Sequence, residues 1–221
     1  MHHVFIAGWW DADQSKWFDQ LFKQQLAWKR ILYIPWAFYP STYNACLEWI
    51  DNVFPKDDGY MVEILHETEY IDIDHISNNY DGMYIWWWNT FRLLKLIKDT
   101  WLDHVIRAFL AAEKPIYGWS AGAIILWKDI HTSPDVNVTK LSFHESVWFN
   151  LFAWHSIFCH YTDAYDLEIY DYIAHYQFPV IALPEWVWVY MKHAVMYIGW
   201  HTSAYLFTAW WKKEIMPGEH V

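Results

Sequence analysis

The chain has 221 residues, with 26 acidic and 15 basic side chains and a formal net charge of −11. Its lysines and arginines form no patch, which argues against a nucleic-acid-binding surface. It has no apolar stretch long enough to span a bilayer, and residues 1–6 lead directly into a predicted strand, so neither a membrane partner nor a signal peptide is expected. Cys46 and Cys159 make no disulfide framework. We therefore expect one cytoplasmic domain over residues 1–221.

Tryptophan is unusually common and glycine unusually rare. The chain has 19 Trp and only 7 Gly, whereas Gly ordinarily makes up about 7% of residues. Many tryptophans stand where an α/β protein needs a small residue, in segments 9–10, 86–88 and 186–188. This composition suggests an altered or designed sequence.

Hydrophobic periodicity predicts alternating strands and helices in the first half of the chain. Predicted strands cover residues 4–7, 30–35, 60–65, 82–86 and 114–118. Predicted helices cover residues 13–26, 42–54, 91–98 and 101–112, and an acidic connection covers residues 66–79. This alternation predicts an α/β fold with a mostly parallel sheet and helices on both faces, a three-layer arrangement.

The second half is less regular. A polar stretch at 129–140 precedes an aromatic stretch at 143–160 and a predicted helix at 164–175. Further strands are predicted at 180–183, 187–190, 194–198 and 204–208. We find no linker, internal repeat or low-complexity segment.

The segment from Tyr117 to Leu126 contains a G-x-S-x-G motif formed by Gly118, Ser120 and Gly122. An apolar, strand-like run precedes the motif, and a small, apolar, helix-like run follows it. This context is typical of a nucleophile elbow, in which a sharp turn raises the serine hydroxyl above the end of a sheet. The alternative is that Ser120 only caps a helix.

The ends of the predicted strands converge on the same edge of the sheet as this motif. Ligands of open α/β sheets bind beyond the carboxyl ends of the strands. In this chain those ends are segments 8–11, 35–36, 86–89 and 119–120. A site at this edge would therefore contain Ser120.

Three segments carry a resemblance to a known family: the elbow G-W-S-A-G-A, the segment F-C-H-Y-T-D-A at 158–164 and the segment N-T-F-R-L-L at 89–94. The chain resembles peptidase E, the aspartyl dipeptidases and their cyanophycinase relatives over residues 4–189. The resemblance implies a class I glutamine amidotransferase-like (flavodoxin-like) fold. It also implies a serine exopeptidase that cleaves small peptides with an N-terminal aspartate and needs no cofactor. The sequence leaves the oligomeric state open, with a homodimer as one option.

Catalytic roles follow from the same resemblance. Ser120 resembles the nucleophile and His160 the general base. A serine hydroxyl is a weak nucleophile until an imidazole takes its proton, and a carboxylate must orient that imidazole. Asp135 and Glu185 each match one assignment of the carboxylate, with a slight preference for Asp135; Asp135 could equally be a turn residue.

The resemblance also suggests binding groups. The backbone N–H groups of Ala121 and Trp88 would form the oxyanion hole, and Asn89 and Thr90 fall in the substrate-binding segment. An aspartate side chain needs a cation or convergent N–H donors, for which Arg92 is a candidate.

The departures from the family pattern lead to a competing hypothesis. The family has glycines where this chain has Trp86, Trp87 and Trp88. If the turn at Trp88 needs a positive φ, the tryptophan is strained by about 1–3 kcal/mol, and its ring could fill the substrate space. The alternative is then a non-catalytic α/β binding protein with a tryptophan-filled cleft.

A metal site is a weaker alternative. His66, Glu67, Asp72, Asp74 and His75 form a loose acidic cluster, but their spacing matches no metal motif. We expect a solvated loop there and no metal.

Overall fold

A computed structural model describes residues 3–8, 15–37, 39–86, 88–135, 137–147, 149–151, 154–192, 195–199 and 202–220. Trp9, Trp10 and Trp87, all singled out in the sequence, lie outside these ranges.

The strands are β1 His3–Ala7, β2 Arg30–Ile34, β3 Met61–Ile64, β4 Gly82–Ile85, β5 Ile116–Trp119, β6 Ser156–Cys159, β7 Val180–Leu183, β8 Trp188–Lys192, β9 Val195–Gly199, β10 Ala204–Phe207 and β11 Lys212–Ile215. The helices are α1 Lys16–Lys23, α2 Tyr43–Val53, α3 Ile73–Asn79, α4 Thr90–Thr100, α5 Leu102–Ala111, α6 Ala121–Ile124, α7 Phe143–Ser146 and α8 Asp166–Tyr176.

The main sheet has the strand order β3-β2-β4-β5-β1-β8-β9 within the described ranges. Neighbouring strands from β3 to β1 are parallel. The β8 strand is antiparallel to both β1 and β9. The predicted α/β class with a mostly parallel sheet is therefore confirmed.

Helices cover both faces of this sheet. Neighbouring residues of a strand point to opposite sides, and the apolar side chains on each side pack against a helix. On one face, Phe5 and Tyr117 pack against Phe22 of α1, with ring centroids 5.4 and 5.6 Å from the Phe22 ring. On the other face, a Cβ placed on Gly118 would lie 2.4 Å from the backbone oxygen of Gly122 in α6. The predicted helices on both faces are thus present.

A second sheet has the order β11-β10-β7-β6. In it β6 and β7 are parallel, and β10 is antiparallel to β7 and β11. Ile157 and Leu183 belong to the main core. Phe158 and Ala182, their neighbours along the strands, belong to a smaller core that includes Ile169 of α8.

This second sheet corrects the sequence-based organisation of the second half. Residues 180–183 and 204–208 were predicted as strands, but they pair with each other and not with the main sheet. The β6 strand lies in the stretch 143–160, for which the sequence predicted no strand. No strand was predicted at β11. The α3 helix lies in the stretch 66–79, which was predicted as an acidic connection. Their sequences, S-I-F-C, K-K-E-I and I-D-H-I-S-N-N, are too short to show a clear period.

None of the helices in the described ranges is both long enough and apolar enough to cross a membrane.

Candidate active site

Ser120 occupies a strained turn between β5 and α6. Its backbone has φ 48° and ψ −106°, a combination that side-chain-bearing residues rarely adopt outside functional sites. Two backbone hydrogen bonds hold the turn: the Ser120 N–H donates to the Ala7 oxygen at 3.0 Å, and the Ile124 N–H donates to the Ser120 oxygen at 2.9 Å. The turn thus has the backbone geometry of the predicted nucleophile elbow.

The two glycines of the motif allow α6 to approach the sheet closely. A Cβ on Gly118 would lie 2.4 Å from the Gly122 oxygen, and a Cβ on Gly122 would lie 2.2 Å from the Ile85 oxygen. Both contacts would be with backbone atoms, which cannot move aside as a flexible side chain can. Glycine is therefore needed at both positions for α6 to lie against β5 and β4.

His160 lies directly after β6 and faces Ser120. Its Nε2 is 2.9 Å from the Ser120 Oγ, within hydrogen-bonding distance. The backbone of His160 has φ 61°, and the next residue, Tyr161, donates its N–H to the Leu183 oxygen at 3.0 Å. The structure therefore brings together the two residues predicted as nucleophile and base, from different sheets.

The segment after His160 is fixed by Tyr161. The Tyr161 hydroxyl oxygen lies within hydrogen-bonding distance of two carboxylates, 2.8 Å from Asp163 Oδ1 and 2.5 Å from Asp166 Oδ1. Lys212 of β11 reaches the same group, with its Nζ 2.6 Å from the Tyr161 oxygen and 2.8 Å from Asp163. These contacts tie the position of His160 to the second sheet and to the start of α8.

The electrostatic surroundings of His160 favour a neutral imidazole. Burial lowers the pKa of His160 below its usual value, and the negative charges of Glu185 and then Asp135 act in the opposite direction. A neutral imidazole can accept the proton of the serine hydroxyl, which is what a general base requires.

The two candidate carboxylates have different environments. Asp135 is partly buried, and its Oδ2 accepts hydrogen bonds from the Thr90 N–H at 2.7 Å and from the Thr90 and Ser133 hydroxyls at 2.8 Å. Glu185 is exposed in the turn after β7. The negative charge of each carboxylate raises the pKa of His160.

A cavity of about 200 Å³ opens beside the Ser120–His160 pair. Its described lining consists of Trp88, Ser120, Ile124, Ser133, Pro134, Asp135 and His160. Trp88 has φ 142° and is half exposed, so the positive φ considered for this turn is present. Ala121, the other expected oxyanion donor, is the first residue of α6.

Among the described tryptophans, Trp86 and Trp188 lie apart from the residues that line this cavity. Trp86 is buried and stacks on Trp119 with ring centroids 5.7 Å apart. Trp188 packs on Phe18 of α1 at 4.9 Å. These rings fill the core, whereas Trp88 forms a wall of the cavity.

The residues suggested for substrate binding have other contacts. The Asn89 side chain caps α4 by accepting from the Arg92 N–H at 2.9 Å. Thr90 is buried and holds Asp135. The Arg92 guanidinium donates to both carboxylate oxygens of Glu67, at 3.0 and 2.7 Å. Arg92 is not among the described residues that line the cavity.

Cys159 does not provide a competing nucleophile. Burial raises the pKa of its thiol to about 12, so the reactive thiolate is absent near neutral pH. Its Sγ faces the Ser120 backbone oxygen at 4.0 Å.

The residues of the acidic cluster suggested by the sequence, at positions 66–75, make separate contacts. Glu67 binds Arg92, Asp72 caps α3 through the His75 N–H, and His75 contacts Asn79. No group of three His, Cys, Asp or Glu side chains is placed to hold a metal in the described ranges.

Sequence reasoning missed Ile124 and the role of Ser133. Ile124 lies in the helix after the elbow and forms an apolar wall of the cavity. The Ser133 hydroxyl bonds to the Asp135 carboxylate two residues later. A serine two residues before an aspartate is a recognisable local pattern, but only the fold shows that it faces the cavity.

Comparison with known proteins identifies the family and the fold of the chain. The family model Peptidase family S51 matches residues 7–198. Peptidase E of Nostoc sp. is 31% identical over 112 residues, 51% of this chain and 45% of that protein. Peptidase E of Shewanella denitrificans is 29% identical over 112 residues, 51% of this chain and 46% of that protein. The match thus spans about half the length of these relatives.

A solved structure shows the same fold. The crystal structure of a peptidase from an acI-B1 Actinobacterium superposes with a TM-score of 0.75 at 16% identity, covering 100% of this chain and 96% of the other. At this identity the likeness concerns the fold alone. Because the family model matches most of its length, the chain belongs to peptidase family S51.

Proposed function

We propose that this chain is a serine exopeptidase that hydrolyses small peptides with an N-terminal aspartate. The observation that carries the proposal is the 2.9 Å contact between the Ser120 Oγ and the His160 Nε2, made by a serine in a strained strand–helix turn. The preference for aspartate is proposed from the resemblance of the elbow and of segments 89–94 and 158–164 to the aspartyl dipeptidases.

The reaction would proceed through an acyl-enzyme. His160 takes the hydroxyl proton as Ser120 Oγ attacks the carbonyl carbon of the N-terminal residue. The backbone N–H groups of Ala121 and Trp88 would receive the negative charge that forms on the carbonyl oxygen. His160 then protonates the leaving amine, and a water molecule activated by the same imidazole releases the aspartate. Asp135 or Glu185 stabilises the imidazolium in between.

The test is hydrolysis of an aspartyl p-nitroanilide, with an alanyl p-nitroanilide as the matched substrate control. We expect release of nitroaniline from the aspartyl compound, slower release from the alanyl compound, and loss of turnover in Ser120→Ala. An unchanged rate in Ser120→Ala would contradict the proposal, and equal rates for both substrates would contradict the aspartate preference.

One observation favours a second candidate function. Trp88 has a backbone conformation that suits glycine, and its ring lines a cavity of only about 200 Å³. A binding protein with a tryptophan-narrowed cleft would show no turnover and no covalent labelling of Ser120 by a serine-reactive phosphonate. Labelling that disappears in Ser120→Ala would exclude this alternative.

A further inference from the structure

Lys212 of β11 lies outside the described lining of the cavity, yet it contacts the residue that follows His160. Its Nζ is 2.6 Å from the Tyr161 hydroxyl oxygen, 2.8 Å from Asp163 Oδ1 and 3.0 Å from Asp166 Oδ2. An ammonium group has three N–H donors, so each of these three groups can receive one of them. Lys212 is therefore a common partner of the side chains in segment 161–166.

The ammonium group balances two carboxylates that converge on one hydroxyl. The Tyr161 oxygen lies within hydrogen-bonding distance of both Asp163 and Asp166, but one O–H donates to only one of them at a time. Burial acts to lower the pKa of Lys212, whereas its hydrogen bonds, first that to Asp163, raise the pKa above its usual value. The ammonium therefore stays charged near neutral pH. Without this cation, the two carboxylates would repel each other across the Tyr161 hydroxyl.

Aromatic rings enclose the Lys212 side chain and hold Tyr161 in place. The Lys212 Nζ lies 5.2 Å from the ring centroid of Tyr161. It lies 4.8 Å from the ring centroid of Tyr205 and 5.3 Å from that of Phe207, and a cation at such distances is attracted to an aromatic face. The Tyr161 ring is buried and packs on the Tyr205 and Phe207 rings at 5.1 and 5.7 Å. Because the Lys212 side chain is only 23% exposed, its ammonium group has a defined position.

The position of Tyr161 affects where the His160 imidazole lies. His160 has φ 61°, and a residue with a side chain keeps this left-handed conformation only where the surrounding structure holds the backbone. The β6 strand holds the chain before His160. After it, the Tyr161 N–H donates to the Leu183 oxygen at 3.0 Å, and the Tyr161 hydroxyl is held by Lys212. A displacement of Tyr161 would therefore alter the 2.9 Å contact between His160 Nε2 and Ser120 Oγ.

We propose that Lys212 is a positioning residue, which acts through the Tyr161 hydroxyl to hold the His160 imidazole at hydrogen-bonding distance from Ser120. This role rests on the proposed function, in which His160 is the general base. Because Lys212 lies outside the described cavity lining, its loss should slow the chemical step and leave substrate binding unchanged. A shift of about 1 Å in a catalytic group can cost about a hundredfold in rate.

The experiment compares two single variants, their combination and a matched control. K212M removes the charge and keeps an apolar side chain against the rings, and Y161F removes the hydroxyl and keeps the ring. K213M is the control, because Lys213 is exposed and, as the next residue of β11, points to the opposite face of the sheet. Thermal unfolding checks that each variant is folded at the assay temperature. Y161F carries the test alone if K212M does not fold.

Two quantities are measured: turnover of aspartyl p-nitroanilide, and the NMR signals of the His160 ring in protein with isotope-labelled histidine, assigned with H160Q. We expect K212M and Y161F each to lower kcat by about 10–100-fold and to leave KM within about twofold of its original value. The double variant should be no slower than the slower single variant, because both changes break the same contact. Both single variants should shift the His160 ring signals. K213M should change neither kcat nor these signals.

Unchanged His160 ring signals in the folded variants would overturn the inference, whether or not the protein hydrolyses the anilide. A rise in KM at constant kcat would also overturn it, as would single effects that multiply in the double variant or equal changes in K213M. If the original protein shows no turnover but K212M and Y161F shift the His160 signals, the peptidase proposal fails and the positioning role of Lys212 stands.

Discussion

Gly122 offers a sharp test of the packing of α6 behind Ser120. Replacing it with alanine adds a methyl group where the structure has backbone. The new Cβ would lie 2.2 Å from the Ile85 oxygen and 2.8 Å from the Ile85 carbonyl carbon. Ordinary carbon contacts lie at about 3.5–4.0 Å, so α6 would have to retreat from β4 by about 1 Å.

The magnitude follows from that displacement. Overpacking of this kind typically lowers the free energy of unfolding by about 1–3 kcal/mol. For a chain of this size, each kcal/mol lowers Tm by about 2–4 °C, which gives a decrease in Tm of about 2–12 °C. A shift of about 1 Å in a catalytic group can cost about a hundredfold in rate. Because α6 begins immediately after Ser120, kcat/KM should fall by about that factor.

The assay combines thermal unfolding with hydrolysis of the aspartyl p-nitroanilide. Gly8→Ala is the matched control, because its added Cβ would lie 3.3 Å from the nearest atom, the Pro184 oxygen. We expect the control to lower the free energy of unfolding by less than about 1 kcal/mol. A Gly122→Ala protein with the original Tm and kcat/KM would refute the close approach of α6 to β4.

Three further predictions concern strain, protonation of the base and a buried acid. Trp88→Gly should raise kcat/KM, since glycine adopts φ 142° without strain and widens the cavity. In a pH profile of kcat/KM, the acidic limb should have its midpoint below 6.5, because burial lowers the pKa of His160. Glu185→Gln should move this midpoint to still lower pH, since the lost charge favours the imidazolium. Asp19→Asn should raise the free energy of unfolding at pH 8 by up to about 4 kcal/mol and leave it unchanged at pH 3, measured by urea unfolding.

The sign of the Asp19 effect follows from its burial. Burial raises the pKa of this carboxyl from 3.8 to about 7, so the folded state holds a proton that the unfolded state has lost between those pH values. The contribution of Asp19 to stability is therefore present below pH 3.8 and is lost as pH rises through 7. Equal stability of the two proteins at pH 8 would contradict this reasoning. A lower kcat/KM in Trp88→Gly would contradict the prediction about backbone strain. An acidic limb with its midpoint above pH 6.5 would contradict the prediction about the pKa of His160.

Much of the parallel sheet could be predicted because its strands are apolar runs bounded by turn residues. Residues 30–35 and 82–86 were predicted as strands, and β2 and β4 lie within them. The elbow was predictable because two glycines and a serine at fixed spacing have a steric reason to occur together. His160 was identified by family resemblance, because no local pattern shows that it meets a serine 40 residues earlier in the chain.

The second sheet and the roles of the carboxylates could not be predicted. The β7 strand is as apolar as the strands of the main sheet, and only its pairing with β6 and β10 places it elsewhere. The Asp135 carboxylate accepts a hydrogen bond from Thr90, which lies 45 residues away in the sequence. The Arg92 guanidinium binds Glu67, which lies 25 residues away. Tertiary packing determines which of these residues meet, and hydrophobic periodicity predicts only local secondary structure.

Ser120 and His160, the proposed nucleophile and base, follow strands of different sheets, and this has a consequence during synthesis. Ser120 leaves the ribosome with the five parallel strands already made, but His160 follows 40 residues later, and β7, β10 and β11, which complete its sheet, follow later still. A nascent chain therefore presents a serine without a base, and its hydroxyl stays unreactive toward neighbouring peptides. Under the proposed mechanism, the chain becomes catalytically competent only when the second sheet has formed, so the order of the strands delays the reaction until folding is nearly complete.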